Sequence, residues 1–347
     1  MSSGPQRVRV VEVVRETVDA HSLVLEPEDP QPFESYRPGQ FLTVRIPSER
    51  AGGAARCYSL SSSPHCQERL KVTVKRTVGG YGSNWLCDNV AEGMTLEVLR
   101  PSGMFTPKSL DDDVLLLAGG SGITPVMSIL KSVLGAGAGA VTLVYANRDE
   151  QSVIFRDELV TLAKEHPDRL VVLHWLESLQ GIPTAAGLRA LTGPYTGRQV
   201  YICGPGPFMD LAQATLAAAG VPDSRLHIER FTSLTNDPFA DVDVVELDVE
   251  DDDVGPPAEV EVQLDGEVTT VAWPRRTKLL DALRNAGLDA PFSCREGNCS
   301  ACACVVLEGE AAMERNEVLD AHDLEDGLLL ACQAFPISER FRITYEA

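Results

Sequence analysis

The chain has 347 residues, of which 51 are acidic and 30 are basic, so its formal net charge at pH 7 is −21. Nucleic acids and anionic lipids require basic proteins, so this charge argues against both as main partners and permits docking onto a basic protein patch. A hydrophobic fraction of 44% is ordinary for folded domains, and the length predicts two or three of them. The absence of an 18-residue apolar run and of a secretory signal predicts a cytoplasmic protein without a membrane span.

Short alternating segments dominate the first hundred residues. Gly and Pro bound them at positions such as Pro38-Gly39 and Gly79-Gly80, which is typical of strands joined by turns. The segments lie at 7–14, 40–46, 56–60 and 70–76. Strands at this spacing predict an antiparallel β-barrel over residues 5–108, with one short helix near 83–90.

Continuous apolar runs replace this alternation in the middle of the chain. Each run is followed by a helical stretch, as expected of strands that are buried on both faces of a parallel sheet. The runs lie at 114–118, 141–146, 170–175 and 199–203. We therefore predict an α/β domain with a parallel, doubly wound sheet over 112–235. An acidic linker over 236–257 and a third domain over 258–347 complete the predicted organisation.

Four of the nine cysteines follow the spacing of an iron–sulfur site. The sequence reads Cys294-x4-Cys299-x2-Cys302, and Cys332 follows thirty residues later. This is the plant-type pattern for a [2Fe–2S] cluster. Gly297 allows the tight loop that such a site needs, and backbone N–H groups of the loop can point at the sulfurs. Zinc usually takes two close Cys-x-x-Cys pairs, and a reducing compartment disfavours disulfides, so both alternatives are weaker.

A cation and an aromatic ring share one face of the strand Arg56-Cys57-Tyr58-Ser59. A guanidinium suits a phosphate and an aromatic plane suits a flavin ring, although the same pattern occurs on half-buried surface strands. Downstream, Gly80-Tyr81-Gly82-Ser83 opens the short helix, whose free N–H groups and dipole favour a phosphate. The two motifs together predict a flavin site.

Glycines also follow the first apolar strand of the middle domain, in the turn Gly119-Gly120-Ser121-Gly122. The turn lets the backbone approach a phosphate, but it lacks the full Gly-x-Gly-x-x-Gly fingerprint, so an ordinary strand-to-helix turn remains the alternative. After the next strand comes Asn147-Arg148-Asp149, where the adenosine ribose of a dinucleotide should lie. An acid there binds the 2′-hydroxyl of NADH, and an arginine attracts the 2′-phosphate of NADPH. Both residue types are present in this segment, and we favour NADH.

These motifs resemble two known families. The cysteine loop resembles that of plant-type ferredoxins, which implies an α+β β-grasp fold over 258–347, with Cys294 and Cys299 on one iron and Cys302 and Cys332 on the other. The preceding domains resemble the ferredoxin–NADP reductase superfamily, in which the Arg-x-Tyr-Ser and Gly-x-x-Ser motifs share the flavin.

The second resemblance also implies which residues contact each cofactor. A serine at the pyrophosphate position and the preceding Lys75-Arg76 favour FAD over FMN. The implied flavin contacts are Arg56, Tyr58, Ser59, Val74, Lys75, Gly82 and Ser83. The implied nicotinamide-domain contacts are Gly120, Gly122, Thr124, Cys203, Gly204, Pro205 and Phe231, to which we add Asn147, Arg148 and Asp149. Cys203, Thr124 and Phe231 are the candidate catalytic residues beside the hydride path, with Cys203 expected to pack rather than to act as a nucleophile.

The order flavin, nicotinamide, ferredoxin is similar to that of reductase components of bacterial oxygenases. Segments such as 174–181 and 290–297 resemble the reductase family that serves 3-ketosteroid 9α-hydroxylases. This resemblance implies that NADH reduces FAD, that the cluster carries single electrons, and that a terminal oxygenase of the Rieske type receives them in steroid degradation. Two alternatives stay open: a reductase for a di-iron oxygenase such as the phenylacetyl-CoA epoxidase system, and a ferredoxin-like carrier whose front half is a binding module.

Overall fold

The computed structural model describes residues 4–48, 54–234, 237–239 and 255–346. They form two compact units, one built from 6–46 and 56–231 and the other mainly from 232–347. No described helix is long and apolar enough to span a bilayer. Most of the predicted linker 236–257 lies outside the described residues, and the domain boundaries proposed from sequence stay predictions.

Six strands form the near-closed barrel at the start of the first unit. They are β1 (Gln6–Arg15), β2 (Ala20–Pro27), β3 (Phe41–Ile46), β4 (Ala54–Ser59), β5 (Leu70–Lys75) and β6 (Thr95–Val98), in the order β4-β3-β6-β1-β2-β5. The pairs β1–β2, β1–β6, β2–β5 and β3–β6 are antiparallel. A bridge between Leu60 and Val72 joins the chain after β4 to β5, at the other edge of the sheet. Helix α1 (Tyr81–Asn89) follows β5.

The structure confirms the antiparallel class predicted from the sequence, but two of these strands were not predicted. The pattern did not identify β2 because the turn that precedes it, residues 16–19, contains neither Gly nor Pro. It did not identify β6 because only Leu96 and Val98 are buried in that four-residue strand, which gives too short a pattern to recognise.

A five-stranded parallel sheet forms the rest of the first unit. Its strands are β7 (Val114–Gly119), β8 (Val141–Asn147), β9 (Leu170–Leu176), β10 (Gln199–Cys203) and β11 (Leu226–Glu229), in the order β11-β10-β7-β8-β9. The helices are α2 (Ile123–Ala136), α3 (Arg156–Glu165), α4 (Glu177–Gln180), α5 (Ala185–Thr192) and α6 (Gly206–Ala218). Leu116 lies in a core with α2 and α3, whereas Leu115 and Leu117 lie in a second core with α5 and α6. The central strand is therefore covered on both faces, as its unbroken apolar run predicted.

The second unit is a mixed sheet with a helix packed against it. Its elements are β12 (Ala258–Leu264), β13 (Glu267–Trp273), α7 (Leu279–Asn285), β14 (Ala303–Glu308), β15 (Ala311–Met313), α8 (Ala321–Glu325), β16 (Leu328–Leu330), β17 (Ala334–Pro336) and β18 (Arg340–Thr344). The main sheet has the order β13-β12-β18-β14-β16, with β12 and β18 parallel. Trp273 is fully buried, and its ring centroid lies 4.8 Å from that of Phe341. This arrangement agrees with the predicted α+β ferredoxin fold.

Within the first unit, buried charges join the barrel to the parallel-sheet domain. Lys131 of α2 is only 5% exposed, and its Nζ lies 2.8 Å from Oε2 of Glu68 and 3.1 Å from Oε1 of Glu158. Lys71 of β5 lies 3.1 Å from the other oxygen of Glu158. Burial alone would raise the pKa of Glu158, but the two lysines hold it below its ordinary value. Breaking such a network leaves a buried charge without a partner.

We expect Lys131→Met to destabilise the first unit by about 3–5 kcal/mol, because Glu68 and Glu158 lose the ammonium that compensates their burial. Urea unfolding followed by circular dichroism measures the change. Arg45→Met is the control, since Arg45 and Glu97 form an exposed pair at 2.8 Å that is worth about 1 kcal/mol or less. Equal losses of unfolding free energy in the two variants would show that the junction charges contribute no more than an exposed ion pair.

Candidate functional site

The Arg-x-Tyr strand and the glycine-serine helix lie against each other. Arg56 and Tyr58 belong to β4, and Ser83 lies in the first turn of α1. A Cβ atom at Gly82 would lie 2.9 Å from Cγ of Arg56, so only glycine lets the helix pack this closely on the arginine stem. The structure therefore brings together the two motifs from which the sequence predicted a flavin site.

The N-terminus of α1 fits the phosphate end of a flavin dinucleotide. Gly80 is the N-cap of α1 and provides no side chain to accept a hydrogen bond. The first N–H groups of the helix therefore have no capping partner. The Ser83 hydroxyl accepts a hydrogen bond from the Thr77 N–H at 3.0 Å, which fixes its oxygen beside the helix start. Helix N-terminus and guanidinium both favour negative charge, and Arg56 lies next to this turn.

Other residues expected at the flavin lie on the neighbouring strands. Ser59 and Val74 are buried at the carboxyl ends of β4 and β5. Burial raises the pKa of the Tyr58 phenol, so that ring stays neutral at physiological pH. Lys75 extends away from β5 toward the glycine turn: its Nζ would lie 3.5 Å from a Cβ at Gly120. Lys75 is thus placed between the two domains of the first unit.

Glycines allow the carboxyl ends of β7 and β10 to meet without side chains between them. A Cβ at Gly122 would lie 2.1 Å from the carbonyl oxygen of Cys203, and one at Gly204 would lie 3.0 Å from Cα of Gly119. Gly120 has φ of +52°, a conformation that favours glycine. These contacts explain why the turns after β7 and β10 are rich in glycine: the two turns pack against each other, and side chains there would clash.

A cavity of about 310 Å³ opens at this edge of the sheet. Its lining comes from both domains of the first unit and consists of Lys75, Gly119, Gly120, Ala146, Asn147, Arg148, Glu177, Ile182, Pro183, Pro205, Pro207, Phe208 and Leu211. The sequence analysis singled out Lys75, Gly120, Asn147, Arg148 and Pro205. It missed the wall formed by Glu177, Ile182 and Pro183, because a short helix and a turn after β9 carry no glycine-rich or charged motif.

The three candidate catalytic residues lie outside this lining. The Thr124 hydroxyl donates to the carbonyl of Ser121 at 3.1 Å within the first turn of α2. Cys203 is fully buried, and burial raises its thiol pKa well above the ordinary value, which supports packing rather than nucleophilic chemistry. Phe231 follows β11 and is 49% exposed. Of the three, Phe231 has the accessible ring that contact with a cofactor requires.

Asp149 is the acid that the sequence analysis expected at a ribose after β8. One of its carboxylate oxygens is engaged within its own turn, and the ribose contact stays a prediction. Asp149 Oδ1 accepts the backbone N–H of Ser152 at 2.9 Å and closes a capping box there. Arg148 instead donates to Oδ2 of Asp19 in the barrel at 3.0 Å. Asn147 is buried at the cavity, and neither polar atom of its amide meets a hydrogen-bond partner among the described residues. Asn147 therefore stays a predicted contact of the nucleotide.

Glu229 is a further ionisable group, and no sequence motif marks it. It ends β11 and pairs in register with Cys203 at the end of β10. Part of the residue reaches the surface, yet burial of the carboxyl group raises its pKa to about 8. The carboxyl group therefore carries a proton at neutral pH beside the strand end where the candidate catalytic residues lie.

We expect Glu229 to make the first unit less stable as the pH rises. Because the folded pKa lies above the unfolded value, stability is complete below about pH 4.5 and is lost progressively toward pH 8. Glu229→Gln should therefore match the wild type in melting temperature near the low end of this range and exceed it at the high end. Glu26→Gln is the control, because hydrogen bonding to Arg9 lowers the pKa of Glu26. A pH-independent difference for Glu229→Gln would contradict the assignment.

In the second unit, the four cysteines of the motif lie close together and form no disulfide bonds. The N–H groups of Glu296 and Asn298 donate to Sγ of Cys294, both at 3.3 Å, and the Cys294 N–H donates to Sγ of Cys299 at 3.3 Å. The Cys332 N–H donates to Sγ of Cys302 at 3.4 Å, and the Gln333 amide donates to Sγ of Cys332 at the same distance. Donors of this kind stabilise thiolates, which is the form that binds iron.

The loop around these sulfurs depends on unusual backbone conformations. Arg295, Gly297 and Ser300 have φ of +57°, +77° and +52°. A Cβ at Gly297 would lie 2.8 Å from the carbonyl oxygen of Arg315. The donor set and the N–H groups fit a [2Fe–2S] cluster.

We expect Gly297→Ala to lower the cluster content of the purified protein by more than half. The new methyl group would meet the carbonyl of Arg315 and push the cysteine loop outward. Gly287→Ala is the matched control: Gly287 has a similar φ of +81°, but nothing lies within 4 Å of its Cβ position. Iron and acid-labile sulfide per chain measure the outcome, and equal losses would assign the effect to backbone strain alone.

Comparison with known families matches three separate stretches of the chain to three domain families. Residues 7–106 match the model of an oxidoreductase FAD-binding domain, 116–214 that of an oxidoreductase NAD-binding domain, and 262–336 that of a 2Fe-2S iron-sulfur cluster binding domain. The chain is also 58% identical over 350 residues to the ferredoxin reductase component of 3-ketosteroid-9-alpha-monooxygenase from Mycolicibacterium smegmatis, which covers 100% of this chain and 98% of the relative. The chain belongs to the family of these ferredoxin reductase components.

More distant relatives share the same architecture. A subunit of 1,2-phenylacetyl-CoA epoxidase from Escherichia coli is 34% identical, with 97% of each chain covered. The solved structure of phthalate dioxygenase reductase is similar at a TM-score of 0.59 and 25% identity, with 98% of each chain covered. The protein is an NADH-dependent oxidoreductase that carries FAD, NAD-binding and [2Fe–2S] domains. The alternative of a simple electron carrier is wrong, since the front half of the chain matches two oxidoreductase domains.

Proposed function

We propose that this protein is the reductase of a steroid-hydroxylating system, in which a Rieske-type oxygenase receives electrons that originate from NADH. The observation that carries the proposal is the end-to-end identity of 58% with a reductase component of 3-ketosteroid-9-alpha-monooxygenase. The arrangement of sites supports it, because one chain contains the paired flavin motifs, the cavity at the sheet edge and the four clustered thiols. When bound, FAD accepts an electron pair from NADH and releases electrons singly to a [2Fe–2S] cluster.

Each group of residues has a separate task in this scheme. We assign the iron to Cys294, Cys299, Cys302 and Cys332, whose sulfurs already accept backbone and side-chain N–H groups. We assign the flavin phosphates to the start of α1 and to Arg56, with Tyr58 beside the ring. The cavity at the end of β7 and β8 would hold the dinucleotide, with its pyrophosphate at Gly120 and Gly122. Phe231 would close the nicotinamide end.

The chain's own residues need not move a proton to or from an organic substrate. Cys203 is buried with a raised thiol pKa, and the Thr124 hydroxyl donates a hydrogen bond to a backbone carbonyl, so neither is arranged as an acid–base catalyst. A protein built this way orients cofactors and excludes water, and it must deliver its electrons to another protein. The oxygenase component is that partner.

Reconstitution with purified oxygenases tests the proposal. With NADH, we expect product from a Rieske-type 3-ketosteroid 9α-hydroxylase and at least tenfold slower turnover with a di-iron phenylacetyl-CoA epoxidase. Cys299→Ser should abolish oxygenase turnover because it removes an iron ligand, while NADH-dependent ferricyanide reduction persists because ferricyanide can take electrons from the flavin.

Two results would contradict this assignment. Turnover only with the di-iron oxygenase would mean that the protein is the reductase of an epoxidase system. That system is the next candidate because the chain is 34% identical to the Escherichia coli epoxidase subunit. Loss of ferricyanide reduction together with oxygenase turnover in Cys299→Ser, with FAD still bound, would show that the flavin and cluster sites are not separable.

A further inference from the structure

The side chain of Gln333 joins the two chain segments that carry the four cysteines of the second unit. Gln333 follows Cys332, and its side chain reaches the loop that carries the other three cysteines. Its Nε2 donates to the carbonyl oxygen of Arg295 at 2.9 Å and to Sγ of Cys332 at 3.4 Å. A side-chain amide nitrogen has two N–H groups, so one amide can serve both acceptors.

The position of this amide is fixed by its surroundings. The backbone N–H of Gln333 donates to the carbonyl of Leu330 at 2.9 Å, and its own carbonyl accepts the Glu314 N–H at 3.0 Å. The stem of the side chain packs on the cysteine loop, since a Cβ at Gly297 would lie 3.2 Å from Cγ of Gln333. Gln333 is only 3% exposed. Water therefore has little access to replace the amide, and its removal would leave buried acceptors with one donor fewer.

The bond to Arg295 extends the influence of Gln333 to a second sulfur. The carbonyl of Arg295 and the N–H of Glu296 belong to one trans peptide group, so they point in opposite directions. The carbonyl accepts from Gln333, and the N–H of the same group donates to Sγ of Cys294 at 3.3 Å. Arg295 has φ of +57°, which few residues other than glycine adopt, so this peptide group needs support in its orientation. Gln333 thus contacts one cysteine sulfur directly and orients the donor to another.

Hydrogen bonds to the sulfurs affect the two redox states of a cluster unequally. Reduction adds an electron, so the sulfurs carry more negative charge in the reduced state and accept an N–H more strongly. Donors to sulfur therefore favour the reduced state and raise the reduction potential. In the chain from the Gln333 amide through the Arg295–Glu296 peptide group, each hydrogen bond polarises the next and strengthens this effect.

We propose that Gln333 is a positioning residue that raises the reduction potential of the [2Fe–2S] cluster, by donating to Sγ of Cys332 and by orienting the Glu296 N–H toward Sγ of Cys294. The inference rests on the proposed assignment of the iron to the four cysteines, and it adds a residue that sets how readily the cluster accepts an electron. A higher potential favours transfer of each electron from the flavin to the cluster.

Gln333→Met tests the proposal in the full-length protein with FAD and cluster bound, because methionine has a similar length and no N–H. We expect the midpoint potential of the cluster to fall by the equivalent of about tenfold in its reduction equilibrium, which is about 59 mV for one electron. A redox titration followed by the electron paramagnetic resonance signal of the reduced cluster measures the shift. The flavin potential, read from visible absorption in the same titration, should not change.

Two further variants separate this effect from a purely structural role. Gln263→Met is the matched control: it removes a side-chain amide that donates to Glu346 at 2.7 Å in the same unit, and it should leave the cluster potential unchanged. Gln333→Lys keeps N–H donors at this position and adds a positive charge, so the cluster potential should rise above that of the wild type. Iron and acid-labile sulfide per chain, measured in every variant, report cluster content independently of the potential.

The outcomes distinguish failure of this inference from failure of the function on which it rests. An unchanged potential in Gln333→Met, or equal falls in the methionine and lysine variants, would overturn the inference. Loss of the cluster from both Gln333 variants but not from Gln263→Met would overturn it as well, since Gln333 would then serve assembly alone. Wild-type protein without iron and sulfide would instead overturn the assignment of the iron. If the potentials shift as expected but the Rieske-type oxygenase gives no product, the inference stands and the proposed partner is wrong.

Discussion

The geometry of the nucleotide cavity depends on charges at the junction of two differently built domains. Its walls come from the barrel through Lys75 and from the parallel sheet through residues such as Asn147 and Phe208. The barrel and the sheet therefore have to keep one relative position for the cavity to exist. Lys131, buried between Glu68 and Glu158, opposes sliding because any displacement leaves a charge desolvated without its partner.

Backbone atoms supply much of the binding surface at all three cofactor sites. In the proposed function, the start of α1 and the turn at Gly120 would offer N–H groups to phosphates, while the cysteine loop directs N–H groups at sulfur. Gly82, Gly122 and Gly297 shape these segments by allowing close packing, because a Cβ at each of them would lie within 3 Å of a neighbouring residue. Side chains then adjust charge and selectivity around a surface that the backbone has shaped.

This division explains how much could be read from the sequence. Backbone sites leave local signatures, such as cysteine spacing, glycine turns and apolar runs, and those predicted the barrel, the parallel sheet and the cluster loop. Asp19 and Glu229 lie beside residues that only the fold brings to them, 129 residues away for the Asp19–Arg148 pair, and no local pattern marks either contact. Asp149 shows a different case: its position in the sequence predicts a ribose contact, which stays a prediction, while its Oδ1 accepts the nearby N–H of Ser152.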